Sequence, residues 1–141
     1  MSVNIYMNFN GNCREAVELY ADAFNAEKQK IMTFGEAPPN TDFPLPESAK
    51  DLILHTFLII SGSRIMFSDT MPGMPFVIGN NISITILSKN KDAITSAFNK
   101  LKIDGTVNME LQKTFWSDCY GSVKDKFGIE WELSYDSEGD M

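Results

Sequence analysis

The chain repeats itself, and the repeat limits the folds open to it. Ile5 and Met7 match Ile82 and Ile84, 77 positions on, and Arg14-Glu15-Ala16-Val17 matches Lys91-Asp92-Ala93-Ile94 at the same shift. Further along, Gly62-Ser63-Arg64-Ile65-Met66-Phe67-Ser68 matches Gly128-Ile129-Glu130-Trp131-Glu132-Leu133-Ser134, now 66 positions on. The shift falls because the first copy carries an extra loop. Each copy reads as a strand, a helix and three strands. A four-stranded sheet under one helix leaves a face uncovered, so neither copy buries enough surface alone. The expected fold is α+β: tandem βαβββ modules whose mixed sheets curl into cups with the helices outside.

The elements follow from local patterns. Val3 to Phe9 alternates apolar and polar residues, as a strand does. Asn10-Gly11-Asn12 ends it, with Asn12 placed to cap a helix and Glu15 to complete a capping box. Cys13, Ala16, Val17, Tyr20 and Phe24 then form one apolar stripe. A strand is expected over 27–34. Between Gly35 and Lys50, Pro38, Pro39, Pro44 and Pro46 leave no room for a regular element, so 35–50 is a long exposed loop. Strands are expected over 52–61 and 64–69, with a tight turn at Ser61-Gly62-Ser63. A Met- and Pro-rich loop follows, in which Met71, Met74 and Phe76 make an apolar patch.

In the second copy a strand runs from Asn81 to Leu87, and Asn90 caps a helix with Ala93, Ile94, Ala97, Phe98 and Leu101 on its apolar side. Asp104-Gly105 turns the chain into a strand over 106–111. The stretch from Phe115 to Leu133 reads as two strands about a turn at Asp125-Lys126-Phe127-Gly128. Alternation puts Ile129, Trp131 and Leu133 on one face and Glu130 and Glu132 on the other. The modules are therefore 1–78 and 79–136, with a frayed, acidic tail over 137–141.

Composition narrows the function. A net charge of −7 repels nucleic acid and anionic membrane surfaces, and no basic run offers an exception. The longest apolar stretch, 52–60, is interrupted by His55 and Thr56 and is too short for a bilayer. The start lacks the pattern of a signal peptide, and two cysteines, Cys13 and Cys119, read as free thiols, so a cytoplasmic protein is expected. His55 is the sole histidine, which removes most histidine-built metal sites and hydrolytic triads. Cys119 has no neighbouring base in sequence to activate it.

Four blocks resemble a known family. They are Gly-x-Cys-Arg-Glu-Ala-x-x-x-Tyr (Gly11 to Tyr20), His-x-x-Leu-x-Ile-x-Gly (His55 to Gly62), Met-x-Ser-Asp followed by Pro (Met66 to Asp69, then Pro72), and a Trp…Tyr-Gly…Asp-x-Phe-Gly-x-x-Trp run (Trp116 to Trp131). With the repeat, they make the chain similar to the PhnB-like proteins of the vicinal oxygen chelate superfamily, which holds glyoxalase I, extradiol dioxygenases and the bleomycin and fosfomycin resistance proteins. That family also carries a label taken from a demethylubiquinone methyltransferase, yet no glycine-rich strand–turn–helix here would cradle S-adenosylmethionine. Carried over from the superfamily, the metal-ligand positions are Ile5, Met66, Ile82 and Glu132, facing into the cup. Only Glu132 suits a hard divalent ion, so neither a metal nor another cofactor is expected.

The resemblance implies a cup for a small, partly apolar or cationic molecule, and a homodimer formed through open sheet edges. Ile5, Met66, Asp69, Ile82, Trp116 and Tyr120 are the candidate ligand-binding residues. Glu132 and His55 are the candidate general bases of an alternative, metal-independent isomerase or lyase. Each has a plainer reading. Glu132 could be solvated or paired, His55 a hydrogen-bonded strand residue, Asp69 a turn cap, and the two aromatics core. If Glu132 lines an apolar cup it is an isolated carboxylate, with Trp131 outside under a helix.

Overall fold

A computed structural model describes residues 1–38 and 44–136. Residues 39–43 of the Pro-rich loop and the expected frayed tail, 137–141, lie outside the described residues. The fold is α+β, and the described residues form two α-helices and eight strands in two mixed four-stranded sheets that do not close into a barrel. Contacts divide the chain into two compact units, one of residues 1–21 and 26–76, the other of 22–25 and 77 onward.

The first unit runs β1 (Ile5–Phe9), α1 (Cys13–Ala23), β2 (Met32–Thr33), β3 (Ile53–Ile60) and β4 (Ser63–Asp69), in sheet order β1-β4-β3-β2. β1 lies parallel to β4, and the other pairs are antiparallel. The second unit runs β5 (Ile84–Ser88), α2 (Lys91–Leu101), β6 (Thr106–Gln112), β7 (Cys119–Lys124) and β8 (Glu130–Tyr135), in order β5-β8-β7-β6. β5 is parallel to β8, as β1 is to β4. The two units share one topology.

Local chemistry explains the turns. Ser61 and Gly62 both take positive φ, 50° and 80°, which the two-residue β3–β4 hairpin requires. At the start of α2 the Asn90 side chain accepts the Ala93 N–H at 3.0 Å. At α1 the cap comes from far away: Asp69 Oδ1, at the end of β4, accepts the N–H groups of Gly11 and Cys13 at 2.9 and 3.0 Å. Its Oδ2 accepts the Ile53 N–H at 2.9 Å. A single buried carboxylate thus joins β4, β3 and the helix start.

Each core lies on the helix side of its sheet. In the first unit, Met7, Phe9, Ile65 and Phe67 are buried with Ala16, Val17 and Tyr20. The Tyr20 and Phe67 rings stack at 5.9 Å. In the second, Trp131 and Leu133 are fully buried, as are Ile94, Phe98 and Leu101 to within a percent. Fully burying a side chain of that size stabilises by about 1.5–3 kcal/mol. Gly121 admits α2, because a Cβ there would meet Leu111 Cδ2 at 2.9 Å and Phe98 Cε2 at 3.0 Å. Phe24 lies beyond the end of α1, and its ring packs on Trp131 within the second unit, 5.1 Å between centroids.

Two strand expectations need correction. The strand expected over 27–34 shrinks to Met32–Thr33. Before it, Lys28 is drawn to Glu18 at 2.9 Å and the Lys30 carbonyl takes the Thr56 hydroxyl, so these residues serve other partners than a sheet ladder. The strand expected from Asn81 begins at Ile84. The hydrogen-bonded ends explain why: Thr70 N–H reaches Phe9 O, and Asp136 N–H reaches Ser88 O. Phe9 therefore corresponds to Ser88, 79 positions on, and Cys13 to Lys91, 78 on, where the sequence repeat reads 77.

Candidate functional site

One face of each sheet is open and alternate residues reach it, so the pairing of the strands decides which side chains share it. Tyr6 lies beside Met66, and Met66 beside Phe57, so these three share the open face of the first unit. Ile5 pairs with Ile65 instead and turns to the helix side, away from Met66. Ile82 is exposed two residues ahead of β5, and Thr85 is the residue beside Glu132. Where Ile5 and Ile82 were expected beside Met66 and Glu132, the first unit therefore sets Tyr6 beside Met66 and the second, by itself, sets Thr85 beside Glu132.

Neither pair fits a divalent metal. Glu132 is the only carboxylate among them, a thioether suits neither Zn²⁺, Fe²⁺ nor Mn²⁺, and phenol and alcohol oxygens are poor ligands when protonated. Among the described residues no three His, Cys, Asp or Glu side chains cluster as a metal site would need.

Glu132 is not the isolated carboxylate that the sequence led us to expect. Tyr120 sits diagonally across from it, since Ser122 pairs with Glu132 and Tyr120 with Ser134. The Tyr120 hydroxyl donates a short hydrogen bond to Glu132 Oε1. Partial burial, that hydrogen bond and the Glu132 charge together push the Tyr120 hydroxyl up to about 12. Tyr120 therefore keeps its proton and remains a donor throughout the neutral range. The neighbouring carboxylate, Glu130, accepts from Asn108 Nδ2 at 3.0 Å.

Trp116 completes this group. Its ring meets Tyr120 edge-on, 5.3 Å between centroids, and it remains 44% exposed. Phe115 packs edge-on against Trp116 and is 97% exposed. Ser117 holds the loop in place. Its buried hydroxyl receives the Ser134 hydroxyl at 2.9 Å and lies 3.0 and 2.9 Å from the Cys119 and Tyr135 carbonyls. A half-exposed indole, a phenol and a carboxylate are so brought together on the open face of the second unit. Trp131 faces the other way, into the core, where its Nε1–H donates to Asp125 Oδ2 at 2.8 Å.

Asp125 is the residue that sequence reasoning passed over. It is only 3% exposed, and its Oδ1 also accepts the N–H groups of Phe127 and Ile129 at 2.9 and 3.1 Å. The signal was the Asp-x-Phe-Gly-x-x-Trp run, which sets an acceptor six residues before an indole that alternation directs inward.

In the first unit, His55 is half-buried on the open face and its ring lies 6.0 Å from that of Tyr6. Met66 is half-buried between Tyr6 and Phe57. Asp69, 4% exposed, occupies the turn-capping place described above, with both oxygens engaged by backbone. Cys13 is buried against it, and desolvation, then the Asp69 charge, raise its thiol far above the usual range, which leaves an inert thiol. Met74 is exposed while Met71 and Phe76 are half-buried. An open cleft at the start of α1, lined by Arg14, Glu15, Glu18 and Asp51 among others, includes none of the candidate residues.

The profile of the family described as 3-demethylubiquinone-9 3-methyltransferase matches residues 1–134. The chain belongs to that family. Protein YjdN of Escherichia coli is 31% identical over 144 residues, covering 95% of each chain. Protein PA1353 of Pseudomonas aeruginosa superposes with a TM-score of 0.82 at 31% identity, over 96% of this chain and 98% of that one. A PhnB protein of Bacillus cereus, itself described as a putative 3-demethylubiquinone-9 3-methyltransferase, gives 0.77 at 23%, over 96% and 100%. The fosfomycin resistance protein FosX of Listeria monocytogenes shares the fold alone, with 0.63 at 12%, over 95% and 91%. These likenesses make the fold that of the vicinal oxygen chelate proteins, in its PhnB-like form.

At the two strand-to-helix turns, the N–H groups of Gly11 and Cys13 donate to Asp69 and the Ala93 N–H donates to Asn90. No helix among the described residues is long and apolar enough to cross a membrane.

Proposed function

We propose that this PhnB-like protein binds a small, partly apolar molecule carrying an ammonium or other N–H group, without a metal, on the open face of its second unit. The Tyr120–Glu132 hydrogen bond beside the half-exposed ring of Trp116 carries this reading. Tyr120 fixes one carboxylate oxygen and leaves the other free to take a ligand N–H, with the negative charge intact. Trp116 offers a flat apolar surface on which an organic cation is attracted by the ring face as well as by burial. The net charge of −7 draws a cation toward the protein from a distance.

A thermal-shift screen of chelator-treated protein against cationic aromatic amines and cationic antibiotics tests this. Saturable stabilisation by cationic aromatics, lost in Glu132→Gln, is the expected result. No stabilisation by any of them would count against it.

His55 supports a second reading. It lies on an open face beside Tyr6, and an imidazole can both take up and release a proton. A metal-independent isomerase or lyase would use His55 or Glu132 as general base. Turnover that survives both His55→Ala and Glu132→Gln would remove them from that role.

The protein is also read as a homodimer. The edge strands of the sheets, β1 and β2 in one and β5 and β6 in the other, present unpaired backbone groups that a second copy could use. Light scattering at micromolar concentration should return twice the chain mass, and a monomer would refute the dimer. A cytoplasmic location accords with two free, buried cysteines.

A further inference from the structure

The open face of the first unit has its own chemistry, distinct from the Tyr120–Glu132 face. The Arg64 guanidinium carbon lies over the Phe57 ring, 4.0 Å from its centre, in a cation–π contact. Two residues along β3 on the same face, roughly 6.6 Å by strand geometry, stands His55, with Tyr6 alongside it. Three groups able to donate hydrogen bonds thus flank a floor made by Phe57 and Met66.

Among the described residues Arg64 forms no ion pair and no hydrogen bond, and neither the His55 ring nitrogens nor the Tyr6 hydroxyl has a hydrogen-bond partner. Tyr6 is 45% exposed and Arg64 is exposed, so all of this faces outward. None of the side chains that β1, β3 and β4 present on this face is acidic. That is unusual placement in a chain with 19 acidic and 12 basic residues, where an arginine finds an acidic neighbour easily. At the far end of the face, Ser68 and Asn8 instead satisfy each other at 3.2 Å.

We infer that Arg64, His55 and Tyr6 form a second small-molecule site, which takes a planar carboxylate attached to an aromatic or otherwise apolar body. The exposed guanidinium over Phe57 offers a fork of N–H donors, which matches the two oxygens of a carboxylate. His55 and Tyr6 supply further donors from the other end, while Phe57 and Met66 accept the apolar body. A spherical inorganic anion would satisfy Arg64 but would leave that floor wet.

The test is a nitrogen–proton NMR titration of the full chain with benzoate, with inorganic phosphate and benzylammonium as comparison arms. Benzoate should move the Arg64 Nε–H and the amides of Tyr6, Phe57 and Met66 along one saturable curve. Phosphate should bind more weakly, and benzylammonium should leave these signals in place. Arg64→Gln, at an exposed position, should weaken benzoate by about tenfold or more, and Arg64→Lys should recover only part of it, because the charge returns without the fork. The inference is overturned if benzoate produces no saturable shifts at these residues, if phosphate matches benzoate, or if Arg64→Gln binds as the parent does. Every readout lies on the first unit, so the result is independent of whether the Glu132 face binds an amine.

Discussion

The sheet of β1, β4, β3 and β2 and the sheet of β5, β8, β7 and β6 repeat one strand order, and each stands its only long helix over one side. On the helix side the copies stay alike in kind: Ile65 and Phe67 in one, Trp131 and Leu133 in the other, all buried. On the open side they part. Where the first unit has Met66 beside Tyr6, the second has Glu132 beside Thr85. The first carries a stacked arginine and a histidine, the second a tyrosine-bound carboxylate and an exposed indole. Packing constrains one face of a duplicated sheet, and the other is left for chemistry to diverge.

A further contrast concerns how each unit is tied together. Both use one buried aspartate that accepts hydrogen bonds of 2.8–3.1 Å, but Asp69 holds a helix start and a strand, whereas Asp125 holds a turn and a core indole. Asp125→Ala should have the largest effect on stability. It strands two backbone donors and the Trp131 indole N–H in the interior, and we expect a loss of about 4 kcal/mol in urea unfolding. A loss below about 1 kcal/mol would mean that the tie in the second unit is elsewhere. Asp69→Asn comes next, at about 2 kcal/mol, because the amide keeps one acceptor oxygen and loses the other.

Changes on the open side should barely affect folding. Tyr120→Phe removes a hydrogen bond from a solvent-accessible pair, and about 0.5 kcal/mol is expected. The same hydrogen bond appears more clearly in a spectroscopic titration. One tyrosine should ionise near pH 12, and in Glu132→Gln it should move down toward 10 while staying above it, since desolvation, the largest cause, remains. The linkage follows from the raised value. The protonated phenol adds stability that is fully present below pH 10 and is lost as the pH climbs from 10 through 12. All tyrosines titrating near 10 would contradict the pairing.

Much of this was legible in the residues. Apolar spacing marked both helices, Asn90 announced its cap, and alternation placed Trp131 inside and Glu132 outside. The family blocks led to the right fold. Register was harder, because Ile5 and Ile82 look alike as letters while the strand that matters is fixed by which amide meets which carbonyl at its end, Thr70 with Phe9 and Asp136 with Ser88. The two-residue slip of the repeat keeps the alternation intact and was hidden from it, whereas the alternation of Val3, Ile5, Met7 and Phe9 already set Ile5 on the core side. Tyr120 and Glu132 were both singled out, yet their contact depends on the five-residue connection from Lys124 to Glu130. A local reading also saw Asn12 as the cap of α1, and the Asp69 cap, a contact 56 residues distant in sequence, depends on the β1–β4 pairing.

The central claim is that the divergent open side of the second unit recognises an amine through Glu132. The most direct measurement is a nitrogen–proton NMR titration of chelator-treated protein with phenethylammonium. Saturable shifts at the Trp116 indole N–H and at the amides of Tyr120, Ser122 and Glu132, abolished in Glu132→Gln, are the predicted result. Signals that stay fixed, or that move equally in the parent and in Glu132→Gln, would contradict it.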